Sequence, residues 1–125
     1  MSVQCPTILC VDDAPYLLEL RRLQLEGVGY RVLTAATPQD ALGMFAKYQV
    51  DLLLTDYLLP EMNGIALALT MKRSRPDLLV VLTSGWPNWS DDSKGVDLIL
   101  PKPMDSKELR HAILRLLPSA QRYGT

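Results

Sequence analysis

Four short and almost uninterrupted apolar runs constrain the fold of this chain more than any other feature. They span residues 7–11, 51–55, 78–82 and 97–100. Strands buried on both faces of a sheet read as continuous apolar runs, whereas half-exposed strands alternate apolar and polar residues. The segments between the runs carry apolar residues at helical spacing instead. This alternation predicts an α/β fold in which helices cover both faces of a parallel sheet.

The segments between the runs supply the remaining elements. Residues 30–35 predict one further strand, which brings the expected number of strands to five. Helices are expected after Pro15, after Thr37, from Gly64 and from about Asp105. Thr37 and Asp105 are residue types that cap helix N-termini, which supports those starting points.

The first helix is rich in leucine. Its apolar side is expected to contain Leu17, Leu18, Leu20, Leu23 and Leu25. Gly27 is expected to end the helix, since glycine is common directly after a helix C-terminus. Arg21 and Arg22 are expected to lie on its solvated face.

Composition limits the classes of protein to which the chain can belong. At 125 residues, 48% hydrophobic and 22% charged, it is expected to form one domain over residues 1–125, with a core over about 6–118 and a short C-terminal tail. A formal net charge of −1 predicts no direct binding to nucleic acid or to anionic membranes. No apolar stretch approaches the roughly 20 residues of a membrane span. Cys5 and Cys10 are expected to be reduced thiols of a cytoplasmic protein.

Polar residues follow the ends of the four apolar runs. They are Asp12, Asp13, Asp56, Ser84 and Lys102. Ligands of open parallel α/β sheets bind outside the carboxyl ends of the strands. Adjacent carboxylates repel each other and gain stability when a cation lies between them. The convergence of three carboxylates, a hydroxyl and an ammonium at one sheet edge therefore predicts a site for a divalent metal and a phosphoryl group.

The same segments resemble the receiver domain of two-component response regulators, of the chemotaxis-regulator type. The matching segments are residues 9–13 (LCVDD), 54–64 (LTDYLLPEMNG), 82–85 (LTSG) and 100–103 (LPKP). They contain the acidic pair of that family and a phosphoacceptor Asp with Pro four and Gly eight residues later. They also contain the Thr or Ser followed by a small residue, and the Lys-Pro.

This resemblance implies a fold and an activity. The implied fold is flavodoxin-like: a doubly wound, five-stranded parallel sheet of order 2-1-3-4-5 with helices on both faces. The implied activity is that of a phosphoacceptor, which receives a phosphoryl group from a sensor histidine kinase or histidine phosphotransfer protein. Such a domain promotes its own Mg²⁺-dependent phosphorylation and dephosphorylation without being a conventional enzyme, and it is expected to be a monomer or weak dimer.

Each residue of the predicted site then receives a role. Asp56 is the expected nucleophile, and Lys102 is expected to pair with it before transfer and with a phosphoryl oxygen afterwards. Mg²⁺ prefers a few carboxylates, waters and a phosphate oxygen. Asp13 and Asp56 are expected to bind it directly, Asp12 mainly through water, and Leu58 through its backbone carbonyl.

Two hydroxyl residues are candidates for contacting the phosphoryl group. Ser84 is preferred because it directly precedes the small residue Gly85, which leaves room for a phosphoryl oxygen. Thr83 is the alternative, although it is expected to lie inside the fourth strand.

Two departures from the family fall on the face that many receiver domains use to contact their output partners. The segment from Ser84 to Gly95 is about one helical turn shorter than usual and is a poor helix former, so the fourth helix is expected to be short, irregular or absent. Ile99 occupies the position, three residues before Lys102, where the family often has a switching Tyr or Phe.

Other functional classes fit the sequence less well. A degenerate receiver that works as a phosphorylation-independent docking or scaffold module is the principal alternative. A haloacid dehalogenase would need a second Asp two residues after Asp56, where this chain has Leu58. A flavodoxin would need a hydroxyl- and glycine-rich loop after the first strand, whereas Asp12 and Asp13 would repel phosphate.

Overall fold

A five-stranded parallel sheet forms the centre of the molecule, with strand order β2-β1-β3-β4-β5. The structure, a computed structural model, describes residues 5–85, 95–103 and 105–118. The strands are β1 (Thr7–Val11), β2 (Arg31–Ala35), β3 (Leu52–Asp56), β4 (Leu79–Ser84) and β5 (Leu98–Pro101). The helices are α1 (Pro15–Glu26), α2 (Pro38–Lys47), α3 (Gly64–Ser74) and α4 (Ser106–Leu116). The predicted fold class and strand order are confirmed.

The central strands are buried on both faces because successive side chains point to opposite sides of the sheet. Ile8, Cys10 and Leu54 pack in one cluster with residues of α1 and α4. Leu9 and Leu53 pack in a second cluster with residues of α2 and α3. The continuous apolar runs of the sequence therefore supply two hydrophobic layers, one on each side of the sheet.

Side-chain caps begin three of the helices. The Thr37 hydroxyl accepts a hydrogen bond from the backbone N–H of Asp40 (3.1 Å). The Asp105 carboxylate accepts one from Glu108 (2.8 Å), and the Asn63 side chain accepts one from Ala66 (2.8 Å). The predicted starts at Thr37 and Asp105 are confirmed. These bonds satisfy backbone donors that would otherwise lack partners in the first helical turn.

The first helix differs from its prediction in the residues that it buries. Leu20 and Leu23 are 44% and 57% exposed, whereas Arg21 is only 7% exposed. The residues buried on α1 are Leu18, Arg21 and Leu25, three and four positions apart, so they share one face of the helix. The expectation that Arg21 is solvated is therefore wrong. The helix ends at Glu26 with Gly27 as its C-cap, which confirms the predicted stop, and the left-handed backbone follows at Gly29 (φ 102°).

Several predictions concern the output side of the sheet. The expected short or irregular fourth helix falls within residues 86–94, outside the described residues. Ile99 lies on β5, where it pairs with Leu82 of β4.

Within the described residues, no helix is both long and apolar enough to cross a membrane.

Candidate functional site

Three carboxylates meet at the carboxyl end of the sheet. Asp12 and Asp13 directly follow β1, and Asp56 is the last residue of β3, the strand that pairs with β1. Each of the three offers an oxygen atom, and these atoms all lie within 4.8 Å of one another. Asp12 is buried and Asp13 is exposed, so the cluster extends from the core to the surface.

Lys102 brings the opposite charge to the same place. It directly follows β5, and its Nζ lies 3.1 Å from Asp56 Oδ2 and 3.4 Å from Asp12 Oδ2. Its backbone N–H donates a hydrogen bond to the Ser84 carbonyl (2.8 Å). The backbone of Lys102 is therefore anchored to β4 while the side chain reaches the carboxylates. The predicted convergence of Asp12, Asp13, Asp56 and Lys102 is present in the structure.

Thr83 and Ser84 are both buried at the end of β4, but they occupy different places. The β3–β4 register pairs Thr83 with Asp56. Thr83 also lines a small cavity together with Asp12 and Asp56, and Ser84 does not belong to that lining. Because strand residues alternate between faces, Ser84 shares a face with Leu82, which lies beside the start of α3. Thr83 thus borders the same cavity as Asp12 and Asp56, and which of the two hydroxyls would contact a phosphoryl group stays a prediction.

The loop after β3 returns the chain to the sheet within a few residues. The Tyr57 N–H donates a hydrogen bond to the Thr83 carbonyl, and the Gly64 N–H donates one to the Tyr57 carbonyl (2.9 and 2.8 Å). Leu58 lies exposed in this loop, where metal binding by its carbonyl stays a prediction. Glu61 has a positive φ of 75°, which helps to turn the loop back towards α3.

Gly64 brings α3 against the backbone of the site. A Cβ atom at Gly64 would lie 2.4 Å from the Asp56 carbonyl oxygen and 2.8 Å from a methyl group of Leu82. Both distances are shorter than real Cβ atoms show. The first residue of α3 must therefore be glycine for the helix to pack directly beside the phosphoacceptor candidate.

Comparison with known proteins decides the family. The model of the response regulator receiver domain matches residues 8–114. This chain belongs to that family. The receiver domain is 32% identical to the transcriptional regulatory protein GlrR of Escherichia coli over 117 residues, which are 90% of this chain and 26% of GlrR. It is 32% identical to the phosphate regulon regulator PhoB of Pseudomonas aeruginosa over 94% of this chain and 53% of PhoB. The chain therefore spans about a quarter to a half of these relatives.

Solved structures agree with the family assignment. A CheY-like receiver domain from Methanospirillum hungatei superimposes with a TM-score of 0.86 at 28% identity, covering 98% of this chain and all of that one. The response regulator TrrA of Thermotoga maritima, solved in complex with Mg²⁺-BeF, gives a TM-score of 0.83 at 27% identity, covering 90% and 99% of the two chains. The predicted membership of the two-component receiver domains is confirmed.

The charges of this receiver domain are unbalanced within the cluster. Burial raises the pKa of the Asp56 carboxyl, the hydrogen bond and charge of Lys102 oppose that rise, and the charge of Asp12 adds to it. The net effect is a raised pKa. Three carboxylates face a single ammonium, so the cluster retains excess negative charge. An all-oxygen donor set with excess negative charge is the set that Mg²⁺ prefers, so the residues fit this ion.

Sequence reasoning missed one residue near the site. Arg21 of α1 lines the cavity that Asp12, Asp56 and Thr83 also line. The spacing of Leu18, Arg21 and Leu25 is the signal that could have found it, because positions three and four apart share a helix face.

The close approach of Gly64 leads to a prediction with an internal control. Gly64→Ala is expected to lower the free energy of unfolding by about 2 kcal/mol or more, because the new methyl group collides with backbone. Gly43→Ala lies within α2 with nothing within 4 Å of its Cβ position, so it is expected to stabilise by up to about 1 kcal/mol. Urea denaturation of both variants measures the difference, and equal effects would contradict the packing described for Gly64.

Proposed function

We propose that this receiver domain accepts a phosphoryl group on Asp56 from the phosphohistidine of a sensor histidine kinase or a histidine phosphotransfer protein. The observation that carries the proposal is the position of the Asp56 carboxylate, 3.1 Å from Lys102 Nζ and adjacent to Asp12 and Asp13. A carboxylate that served only the fold would not need two further carboxylates beside it. We place this activity in the cytoplasm, without direct contact to nucleic acid or membrane, and in a monomer or weak dimer.

The proposed transfer is a displacement at phosphorus. An Asp56 carboxylate oxygen forms the new P–O bond while the P–N bond of the phosphohistidine breaks. The electron pair of that bond stays with the imidazole of the donor. Reaction of the acyl phosphate with water would later regenerate the Asp56 carboxylate and release inorganic phosphate.

Two side chains of the site would stabilise the product. Lys102 can exchange its contact with Asp56 for one with a phosphoryl oxygen, because only its backbone is tied to β4. The Thr83 hydroxyl can donate a hydrogen bond to another oxygen from the neighbouring strand. Both groups are already positioned in a partly dehydrated site, so little reorganisation would be needed when the negatively charged phosphoryl group is transferred.

Asp13, Asp56 and the Leu58 carbonyl would hold Mg²⁺, with Asp12 acting mainly through water. The carboxylate of Asp12 is already engaged, since Oδ1 accepts the Ala14 N–H at 2.9 Å and Oδ2 contacts Lys102. Asp13 is exposed and therefore more accessible to an ion from solution. When bound, the ion supplies positive charge that offsets the phosphoryl oxygens and the carboxylates.

Phosphorylation by a small donor tests the proposal directly. Incubation with acetyl phosphate or phosphoramidate and Mg²⁺ is expected to add one phosphoryl group, detected by intact-mass spectrometry. Asp56→Asn is expected to abolish the addition because the amide is a poor nucleophile. Asp77→Asn serves as the matched control, since Asp77 is exposed and lies before β4, at the opposite end of the sheet. Equal labelling of the Asp56 variant would refute the assignment.

The choice between the two hydroxyl residues has its own test. Thr83→Ala is expected to slow phosphorylation by acetyl phosphate about tenfold or more, in line with the loss of one preorganised donor. Thr83→Ser is expected to restore most of the rate, and Ser84→Ala to change it less than about threefold. A larger effect of the Ser84 variant would instead support the preference drawn from the sequence.

The metal assignment predicts unequal effects of the two adjacent carboxylates. Asp13→Asn is expected to weaken Mg²⁺ binding about tenfold, and Asp12→Asn less, because only Asp13 is assigned a direct bond to the ion. Isothermal titration of Mg²⁺ into each variant measures both effects, and a Mg²⁺-dependent rise in melting temperature checks them. The reverse order would exchange the roles of the two residues.

A docking or scaffold function is the second candidate. Its support is Ile99 on β5, where the family often has an aromatic residue that moves on phosphorylation. A β-branched side chain is stiff about its first torsion and has no ring to reposition. Resistance of the purified domain to small phosphodonors in the presence of Mg²⁺ would favour this candidate over phosphoryl transfer.

A further inference from the structure

Arg21 is a buried basic residue that has no role in the proposed phosphoryl transfer or in the proposed Mg²⁺ site. It lies on α1 between Leu18 and Leu25 and is only 7% exposed. Arginine remains protonated under all physiological conditions, so this largely buried side chain carries a permanent positive charge. Such burial is costly unless other charges or polar groups compensate for it.

The position of Arg21 relates it to the acidic cluster. Side chains on a helix tilt towards its N-terminus, and α1 begins at Pro15, two residues after Asp13. Arg21 lines one side of the cavity whose other walls include Asp12, Asp56 and Thr83. Its charge also acts on the buried thiol of Cys10, where it opposes the rise in pKa caused by burial.

Arg21 makes no direct ion pair with these carboxylates. Among the described residues, the ion pairs within 4 Å involve Arg22, Lys72, Arg75 and Lys102, and none involves Arg21. Neighbouring Arg22 differs, because it pairs with Glu19 and Glu26 on the exposed side of the same helix.

The cavity between Arg21 and the cluster has the size of one water molecule. Its volume is about 10 Å³, close to the minimum that holds a single water. Buried waters occupy sites that offer two to four polar partners. A guanidinium, two carboxylates and the hydroxyls of Thr55 and Thr83 belong to residues that line this cavity.

We propose that Arg21 is a positioning residue of the phosphoacceptor site, an internal counter-charge that acts on Asp12, Asp56 and Thr83 through one buried water. The inference rests on the proposed phosphoacceptor function and adds a fifth charge to that site. Lys102 approaches the cluster from the solvent side, and Arg21 borders the cavity beside it from α1.

This role predicts effects of opposite sign on two ligands. A fixed positive charge behind the cluster repels Mg²⁺ and attracts an anionic phosphoryl group. Loss of the charge should therefore tighten Mg²⁺ binding and weaken binding of a phosphoryl analogue. A residue that only supports the fold would weaken both or change neither.

The experiment compares Arg21→Met, Arg21→Lys and the control Arg22→Met in the full chain. Isothermal titration measures the affinity for Mg²⁺ alone, and ¹⁹F NMR measures beryllofluoride binding at saturating Mg²⁺. Arg21→Met is expected to bind Mg²⁺ about threefold tighter or more and beryllofluoride about threefold weaker or more. Arg21→Lys should restore both values at least in part, and Arg22→Met should leave both unchanged because that side chain lies at the surface.

The outcomes separate this inference from the proposed function. Failure of the unaltered domain to bind Mg²⁺ and beryllofluoride would refute the phosphoacceptor function itself. Normal binding by the unaltered domain, with changes of the same sign or no change in Arg21→Met, would overturn only the role of Arg21. Arg21→Leu provides a second neutral variant for the same comparison if the methionine variant does not fold, and high-resolution density for the cavity water tests the bridging contact.

Discussion

The parallel pairing of β1 with β3 is the constraint on which the site depends. Both strands are buried on both faces, and their register places the end of β1 beside the end of β3. Asp12, Asp13 and Asp56 are thereby held together although their charges repel one another. The two hydrophobic layers oppose this repulsion, so the core stabilises an arrangement that the carboxylates alone would not adopt.

The remaining groups come from strands on the other side of β3. The β3–β4 register pairs Thr83 with Asp56, and a hydrogen bond from the Lys102 backbone N–H to the Ser84 carbonyl holds Lys102 near the carboxylates. The site is thus assembled from four strands, and no continuous segment of the chain contains it. Its excess negative charge is the physical reason why both a cation and a cationic neighbour suit it.

The parallel sheet and the charged residues at its carboxyl end could be predicted from the sequence because both produce local sequence patterns. Continuous apolar runs indicate strands buried on both faces, and a polar residue directly after such a run marks the carboxyl end of the sheet. The choice between Thr83 and Ser84 needs the β3–β4 register, which a single sequence does not display. The burial of Arg21 was overlooked because its residue type suggested solvent, although its spacing from Leu18 indicated the core.

The absence of a side chain at Gly64 has a mechanical consequence. With the first residue of α3 lying against the Asp56 carbonyl and Leu82, there is no free space between the helix and the end of β3. Close-packed interiors transmit small displacements instead of absorbing them. A shift of the Asp56 backbone towards α3 would therefore displace the first turn of that helix with it, so α3 is mechanically coupled to the proposed phosphoacceptor.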